Sequence, residues 1–160
     1  MKRNQAPLPS KVAALLRESR LFVLVAAALY LSLVLGTFNR ADPGWSHSVA
    51  AGEIRNLGGR VGAWLADALL YLFGVSAWWW VVLLALAAVW TLKRLDSGSG
   101  GDRRSVFIAV AGFCALLLAS SGVEALRLHS LQATLPLGPG GMIGDVVARL
   151  LQSIGRAWCR

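Results

Sequence analysis

The sequence predicts an all-α integral membrane protein with three transmembrane helices and two shorter amphipathic helices. Apolar residues make up 56% of the chain and are grouped in long uncharged runs, unlike the regular spacing of a soluble core. A Gly-Gly-x-x-Gly pattern occurs twice, starting at Gly58 and at Gly140, and an amphipathic stretch follows each copy. Lysine and arginine flank the apolar runs unevenly. These features indicate two similar membrane units in tandem.

Three segments are long and apolar enough to cross a bilayer, at residues 21–38, 76–92 and 105–123. None of them contains a charged residue. A hydrocarbon core of about 30 Å needs about 20 helical residues, and a helix satisfies its own backbone hydrogen bonds where water is absent. We interpret the first run as a retained anchor, because no small-x-small cleavage site follows it.

The distribution of basic residues predicts how these helices are oriented. Basic residues are concentrated in residues 1–20 and in the loop of residues 93–104, whereas residues 39–57 carry two residues of each sign. Short loops rich in lysine and arginine stay in the cytoplasm, so we expect the N-terminus inside and the first loop outside. The net charge of +8 therefore orients the helices, and no direct contact with nucleic acid is expected.

The apolar stretch from Gly58 to Leu92 is too long to be one straight transmembrane helix. It would extend about 52 Å, so we predict a break at Gly74. Residues 58–73 then form a helix in the membrane interface, or one that re-enters it. In that arrangement Asp67 shares the polar face with Arg60 and meets water or lipid headgroups.

The second Gly-Gly helix is expected over residues 141–155. Only a tail of residues 156–160 follows it, where the first unit has a transmembrane helix. We therefore expect that the fourth span is missing and that the chain is a truncated or split product. Residues 1–20 are a basic cytoplasmic lead, and the membrane domain covers residues 21–155.

The glycine patterns allow two interpretations. Gly58 and Gly62, like Gly140 and Gly144, have the small-x-x-x-small spacing that lets helices pack closely. A glycine at a loop-to-helix transition is an equally good account. A phosphate-binding loop is not favoured, because no predicted strand precedes either copy and no Gly-Lys-Ser/Thr follows.

No group of side chains has the pattern of an active site or a metal site. His47 and His129 are isolated in outer loops, where we expect them to be solvated, and no cysteine or histidine pair has ligand spacing. Glu124 and Arg127 are three residues apart, as in a helical ion pair. No metal and no cofactor is expected, and the chain is not predicted to be an enzyme.

A family resemblance rests on four segments, which are FNRADPGWSHS, NLGGRVGAWLADALLYLFG, SSGVEALR and GPGGMIGDVVARLL. Their order and spacing resemble the membrane domain of FtsK-type bacterial DNA translocases over residues 21–151. The resemblance implies a four-span anchor of an inner-membrane cell-division protein. In that family the anchor lies at the division septum, and a linker leads to a cytoplasmic hexameric ATPase that moves double-stranded DNA.

The resemblance implies that this segment positions a motor and does not contain one. The linker and the motor are not in this sequence, so ATP hydrolysis and DNA translocation are not assigned to any residue. The expected partners are the lipid bilayer, other membrane proteins of the division septum and sister copies of the chain. The expected location is the bacterial inner membrane, with enrichment at the septum.

The predicted structural signature is a set of residues with roles in packing or in seating the chain at the membrane interface. They are Asp42, Pro43, Trp45, Gly58, Gly59, Gly62, Trp64, Asp67, Gly140, Gly141 and Gly144. An alternative from another functional class is a small transporter or channel subunit, in which Asp67 and the broken helix line a polar path.

Overall fold

The structure is a computed structural model that describes residues 10–47, 54–97, 103–127 and 135–158. Within these ranges the chain is helical and contains no strand, which confirms the all-α prediction. The helices are α1 (Ser10–Gly36), α2 (Gly59–Phe73), α3 (Trp78–Ser97), α4 (Arg103–Arg127) and α5 (Gly141–Trp158), and a 3-10 turn (Gly74–Ala77) joins α2 to α3.

Three segments of the described chain are long and apolar enough to cross a membrane. They are Glu18–Gly36, Gly59–Lys93 and Arg104–Arg127. Each contains one of the uncharged runs, and a helix of about 24 residues extends about 36 Å. The second segment comprises α2, the 3-10 turn and most of α3, so it is the one that the sequence predicts to be broken.

The break between α2 and α3 lies at Gly74, where the sequence predicts it. The φ angle of Gly74 is 61°, a left-handed conformation that glycine adopts at little cost because it lacks a Cβ atom. Its N–H makes the last helical hydrogen bond, to the carbonyl of Leu70, and its non-helical φ ends α2. A 3-10 turn of four residues then changes the direction of the chain before α3 begins at Trp78.

The helices pack chiefly in two pairs, α1 with α3 and α4 with α5. A small apolar core joins the C-terminal half of α1 to α2 and the 3-10 turn, and consists of Leu31, Val34, Leu35, Ala66, Leu70 and Ala77. α2 also contacts α5. The core therefore lies where the broken helix meets α1, and not along the whole length of the spans.

The two Gly-Gly patterns form equivalent structural units. Gly58 and Gly62 lie against Val34 of α1, while Gly140 and Gly144 lie against Ser121 of α4.

The second glycine of each pair, Gly59 or Gly141, has a positive φ of 65° or 62°. Both interpretations of the glycine pattern therefore apply. The second glycine makes the transition into the helix, and the first and fifth positions pack on the preceding span.

The loop contacts gather at one end of the helices, which we call the loop end. It comprises residues 34–47, 54–58, 74–77, 120–127 and 135–141. Two contacts illustrate it: Asn56 Nδ2 donates to the carbonyl of Val34 at 2.9 Å, and the amide of Val75 donates to the carbonyl of Pro139 at 2.8 Å. Lys93 lies toward the far end of α3. The first loop, the break at Gly74 and the segment before α5 are thus together at one end.

We expect Gly74→Ala to destabilise the fold by more than about 2 kcal/mol. A residue with a Cβ atom costs about 1–3 kcal/mol in such a sparsely populated backbone region, and the added atom would also collide with the carbonyl of Pro139. The matched control is Gly112→Ala in α4, where an added Cβ meets no atom within 4 Å. A helical glycine replaced by alanine gains about 0.5–1 kcal/mol. Thermal unfolding midpoints in detergent micelles measure both, and equal midpoints for the two variants would contradict this account.

Candidate functional site

The candidate site is the place where the first loop folds onto α2 and the end of α1. We call it the loop site, and it consists of Asp42, Ser46, His47, Asn56 and Asp67. Three of these side chains are almost fully buried: Asp42 is 2% exposed, Asn56 is 4% and Asp67 is 1%. Buried polar groups of this kind require hydrogen-bond partners, and the loop backbone provides most of them.

Asp42 joins the two ends of the loop. Its carboxylate oxygens accept hydrogen bonds from the backbone amides of Arg55 and Asn56, each at 2.8 Å. The amide of Asp42 in turn donates to the carbonyl of Asn39 at 3.1 Å, which closes a turn. One carboxylate therefore fixes residue 42 against residues 55 and 56, on the other side of the loop.

Asn56 satisfies backbone groups at two helix ends. Its Nδ2 donates to the carbonyls of Val34 at 2.9 Å and Thr37 at 3.3 Å, at the end of α1, where carbonyls have no intrahelical partner. Its Oδ1 accepts from the amide of Gly58 at 2.8 Å, just before α2. A single amide side chain therefore links the end of α1 to the start of α2.

Asp67 is buried under the first loop, so the prediction that it meets water or headgroups beside Arg60 is wrong. Its carboxylate accepts from the amide of Ser46 at 2.6 Å and from the Ser46 hydroxyl at 3.0 Å. The loop can approach because residue 44 is glycine: a Cβ there would lie 2.6 Å from the carboxyl carbon of Asp67. The carboxylate thus anchors the loop to α2.

His47 is also part of the loop site, so the prediction that it is isolated is wrong, while its side chain remains 33% exposed. Its Nε2 lies 2.9 Å from the carbonyl oxygen of Arg40, and its Nδ1 lies 3.0 Å from the Ser46 hydroxyl. Nδ1 is also 3.8 Å from Asp67. His129, the second predicted solvated histidine, lies outside the described residues.

The two tryptophans of the signature, and the neighbouring apolar Val61, are about half exposed or more. Trp64 is 50% exposed and Val61 is 72% exposed, whereas the buried face of α2 consists of small residues together with Asp67 and Leu70. Trp45 is 49% exposed, and its ring packs edge-on against Tyr71 with centroids 5.3 Å apart. Pro43 is partly buried in the turn beside Asp42.

A second polar contact closes the break between α2 and α3, and sequence reasoning missed it. Glu124 of α4 accepts from the amide of Ser76 at 3.1 Å and from its hydroxyl at 2.7 Å. The predicted ion pair between Glu124 and Arg127 is therefore wrong, because the carboxylate is directed to the 3-10 turn. Ser120 adds a hydroxyl contact to Ser76 at 2.7 Å. The only signal in the sequence was a serine two residues after Gly74, the predicted break.

The sequence comparisons agree with the membrane fold. The family model for the 4TM region of DNA translocase FtsK/SpoIIIE matches residues 13–157. This chain belongs to that family. The predicted resemblance is confirmed, and the chain is a membrane domain of the FtsK type.

The curated FtsK relatives are much longer than this chain. DNA translocase FtsK 2 of Ralstonia nicotianae is 44% identical over 155 residues, which are 93% of this chain and 20% of the relative. DNA translocase FtsK of Shewanella oneidensis is 35% identical, over 85% of this chain and 15% of the relative. FtsK 1 of Neisseria meningitidis serogroup B is 34% identical, over 85% and 17%. The chain thus spans a fifth or less of these relatives, and no solved structure matches it.

The chemistry of the loop site in this FtsK membrane domain is hydrogen bonding that holds segments together. Ser46, His47 and Asp67 are the residue types of a hydrolase triad, but such a triad needs the imidazole between the hydroxyl and the carboxylate. Here the hydroxyl lies between the other two groups. Nor do the described residues contain three metal-ligating side chains in one cluster. The transporter alternative gains no support, because the loop encloses Asp67.

We expect Asp42→Ala to destabilise the FtsK membrane domain by about 2 kcal/mol or more. The substitution leaves two backbone amides, those of Arg55 and Asn56, without their acceptor, and a buried donor without a partner costs about 1–3 kcal/mol. The matched control is Asp145→Ala, which removes an exposed ion pair with Arg149 on α5, worth about 0.5 kcal/mol or less. Denaturant midpoints in micelles compare the two, and a larger loss for Asp145→Ala would refute the assignment.

Proposed function

We propose that this chain is the membrane anchor that holds an FtsK-type DNA translocase at the division septum, in cell division and chromosome segregation. The observation that carries the proposal is the family match over residues 13–157. The matched relatives are named DNA translocases, and this chain corresponds to a small part of each. Its contribution to the translocase is placement.

The loop end supports an anchoring role because its parts are held in one arrangement. Asn56 links α1 to α2, and Glu124 links α4 to the 3-10 turn. The amide of Val75 bonds to the carbonyl of Pro139, directly before α5. Each span that reaches the loop end is therefore tied to a neighbour there, as a fixed membrane platform requires.

The partners that we propose are the lipid bilayer, other membrane proteins of the septum and sister copies of the chain. Exposed apolar side chains on α2, such as Val61 and Trp64, are suited to the membrane interface, where tryptophan is enriched. We place the chain in the bacterial inner membrane. The N-terminus and residues 93–104 face the cytoplasm because of their basic residues, and the loop end faces outward.

Cysteine labelling in intact cells tests the proposed orientation. Cys114 and Cys159 are first replaced by serine, and single cysteines are then introduced by Ala41→Cys in the first loop or Ser99→Cys in the basic loop. A membrane-impermeant maleimide should label position 41 in intact cells and position 99 only after permeabilisation. The opposite pattern would overturn the orientation.

Fluorescence microscopy of dividing cells tests the septal proposal. A fluorescent protein fused to the N-terminus of the chain should be enriched at mid-cell after its signal is divided by that of a lipophilic membrane dye. The dye is the control, because a closing septum contains two adjacent membranes and brightens any membrane protein. A normalised signal that is even along the cell would refute septal placement.

A further inference from the structure

The first loop and the start of α2 place their acidic groups inside the protein and their basic groups on its surface. The carboxylates of Asp42 and Asp67 are buried and accept hydrogen bonds from backbone amides. The side chains of Arg40, Arg55 and Arg60 are exposed, and we call these three residues the arginine patch. A count of charges along the loop hides this separation, because the two signs balance in the sequence.

The guanidinium groups of the arginine patch have no acceptor in the part of the chain that the structure describes. None of the three makes an ion pair or a side-chain hydrogen bond there. By contrast, the exposed Arg149 of α5 is paired with Asp145 at 2.9 Å. Glu53, the other acidic residue of the loop, lies outside the described residues. A guanidinium has five N–H donors and stays charged, so the patch can bind acceptors from outside the chain.

The contacts of the loop bring the three arginines to one place. The carboxylate of Asp42, two residues after Arg40, accepts from the backbone amide of Arg55 at 2.8 Å. Arg60 follows in the first turn of α2. The arginine patch therefore extends across both sides of the loop and onto the start of the helix.

The patch lies beside apolar side chains that are suited to lipid. Val61 and Trp64 of α2 are exposed. Trp64 is four residues after Arg60 and three after Val61, so it neighbours both on the helix surface. Tryptophan is enriched at the level of the lipid headgroups. Arg60 is therefore at the boundary between lipid and water, where the phosphates of the lipids lie.

We propose that the arginine patch binds the headgroup phosphates of anionic phospholipids, such as phosphatidylglycerol. A guanidinium pairs with a phosphate through two parallel hydrogen bonds, and its stem can cover apolar surface while the charge reaches the headgroup. Zwitterionic lipids carry the same phosphate, but their own cationic group competes with arginine for it. A lipid with a net negative charge attracts basic residues near the membrane surface, so the patch prefers that lipid.

Lipid bound at the arginine patch would hold the first loop against the membrane surface. Asp42 and Asp67 already hold this loop from within the protein, and the arginines would hold it from outside. The interaction rests on the membrane location of the proposed function. It does not depend on septal placement or on the DNA motor.

Arginine footprinting with phenylglyoxal tests the proposal one residue at a time. The full chain is reconstituted in nanodiscs of phosphatidylcholine alone, or of phosphatidylcholine mixed with phosphatidylglycerol. Mass spectrometry of peptides then gives the rate of modification at each arginine. Phosphatidylglycerol should slow the modification of Arg40, Arg55 and Arg60 severalfold. Both leaflets of a nanodisc have the same lipids, so the result does not depend on the orientation of the chain.

Two other arginines of the chain are controls within the same experiment. Arg149 corrects for a change in local pH near a charged membrane, because Asp145 already holds it. Arg127 is an exposed arginine at the end of α4, outside the patch, and its rate should change less than the rates of the patch. Equal slowing at Arg127 and at the patch, or no slowing at the patch, would overturn the proposal.

A soluble anion distinguishes a lipid site from a general phosphate site. Inorganic phosphate is added to the nanodiscs of phosphatidylcholine alone, and it should leave the rates at the arginine patch almost unchanged. Protection by inorganic phosphate as strong as that by phosphatidylglycerol would refute the assignment to lipid.

Substitutions show whether the three arginines act together. Arg60→Gln should reduce the protection of Arg55 by phosphatidylglycerol, because a shared headgroup loses one of its cations. Arg149→Gln, which removes one positive charge from α5, is the matched control and should leave that protection intact. The Arg60 side chain makes no described contact, so the thermal unfolding midpoint of Arg60→Gln should equal that of the wild type. Full protection of Arg55 in the correctly folded Arg60→Gln variant would contradict a joint site.

Discussion

Where a described helix of this protein is interrupted, backbone amides and carbonyls lose their helical hydrogen-bond partners. Providing other hydrogen-bond partners for these groups at the edge of a membrane is the constraint on which the rest of the structure depends. An unpaired backbone group is costly where water is scarce. Asn56 pairs the carbonyls at the end of α1, Asp42 pairs the amides that precede α2, and Glu124 pairs the amide at the break before α3. These three side chains therefore make their hydrogen bonds where helices are interrupted, and their partners follow from where the chain must turn.

Glycine determines how closely those interruptions can approach one another. Gly74 and Gly141 both have positive φ angles, and a Cβ atom on either would collide with the backbone of the other segment. The break in the first unit therefore lies directly against the start of the helix in the second unit. Lipid provides no hydrophobic drive for helix association. The relative position of the two units is therefore held mainly by close backbone contact of this kind and by hydrogen bonds.

Features governed by local periodicity and length could be predicted from the sequence, and those governed by distant contacts could not. The break at Gly74 followed from a 35-residue apolar stretch, because a straight helix of that length exceeds a bilayer. The burial of Asp67 did not follow, since its partner Ser46 is 21 residues away in a loop without periodicity. Ser76 and Glu124 are 48 residues apart. For Glu124, helical spacing predicted an ion pair with Arg127, but its carboxylate instead accepts hydrogen bonds from Ser76.

The exposed apolar face of α2 and its buried carboxylate are two consequences of one arrangement. In water, Val61 and Trp64 would be expected to face the protein and Asp67 the solvent. Here the small residues Ala63 and Ala66 are buried, which lets α2 lie close to its neighbours, and the first loop encloses the carboxylate. An apolar face turned outward is stable only where lipid or another apolar surface meets it. The orientation of α2 therefore follows from a hydrogen-bonded loop on one side of the helix and a membrane on the other. A change in the loop or in the membrane would alter the surface that the anchor presents.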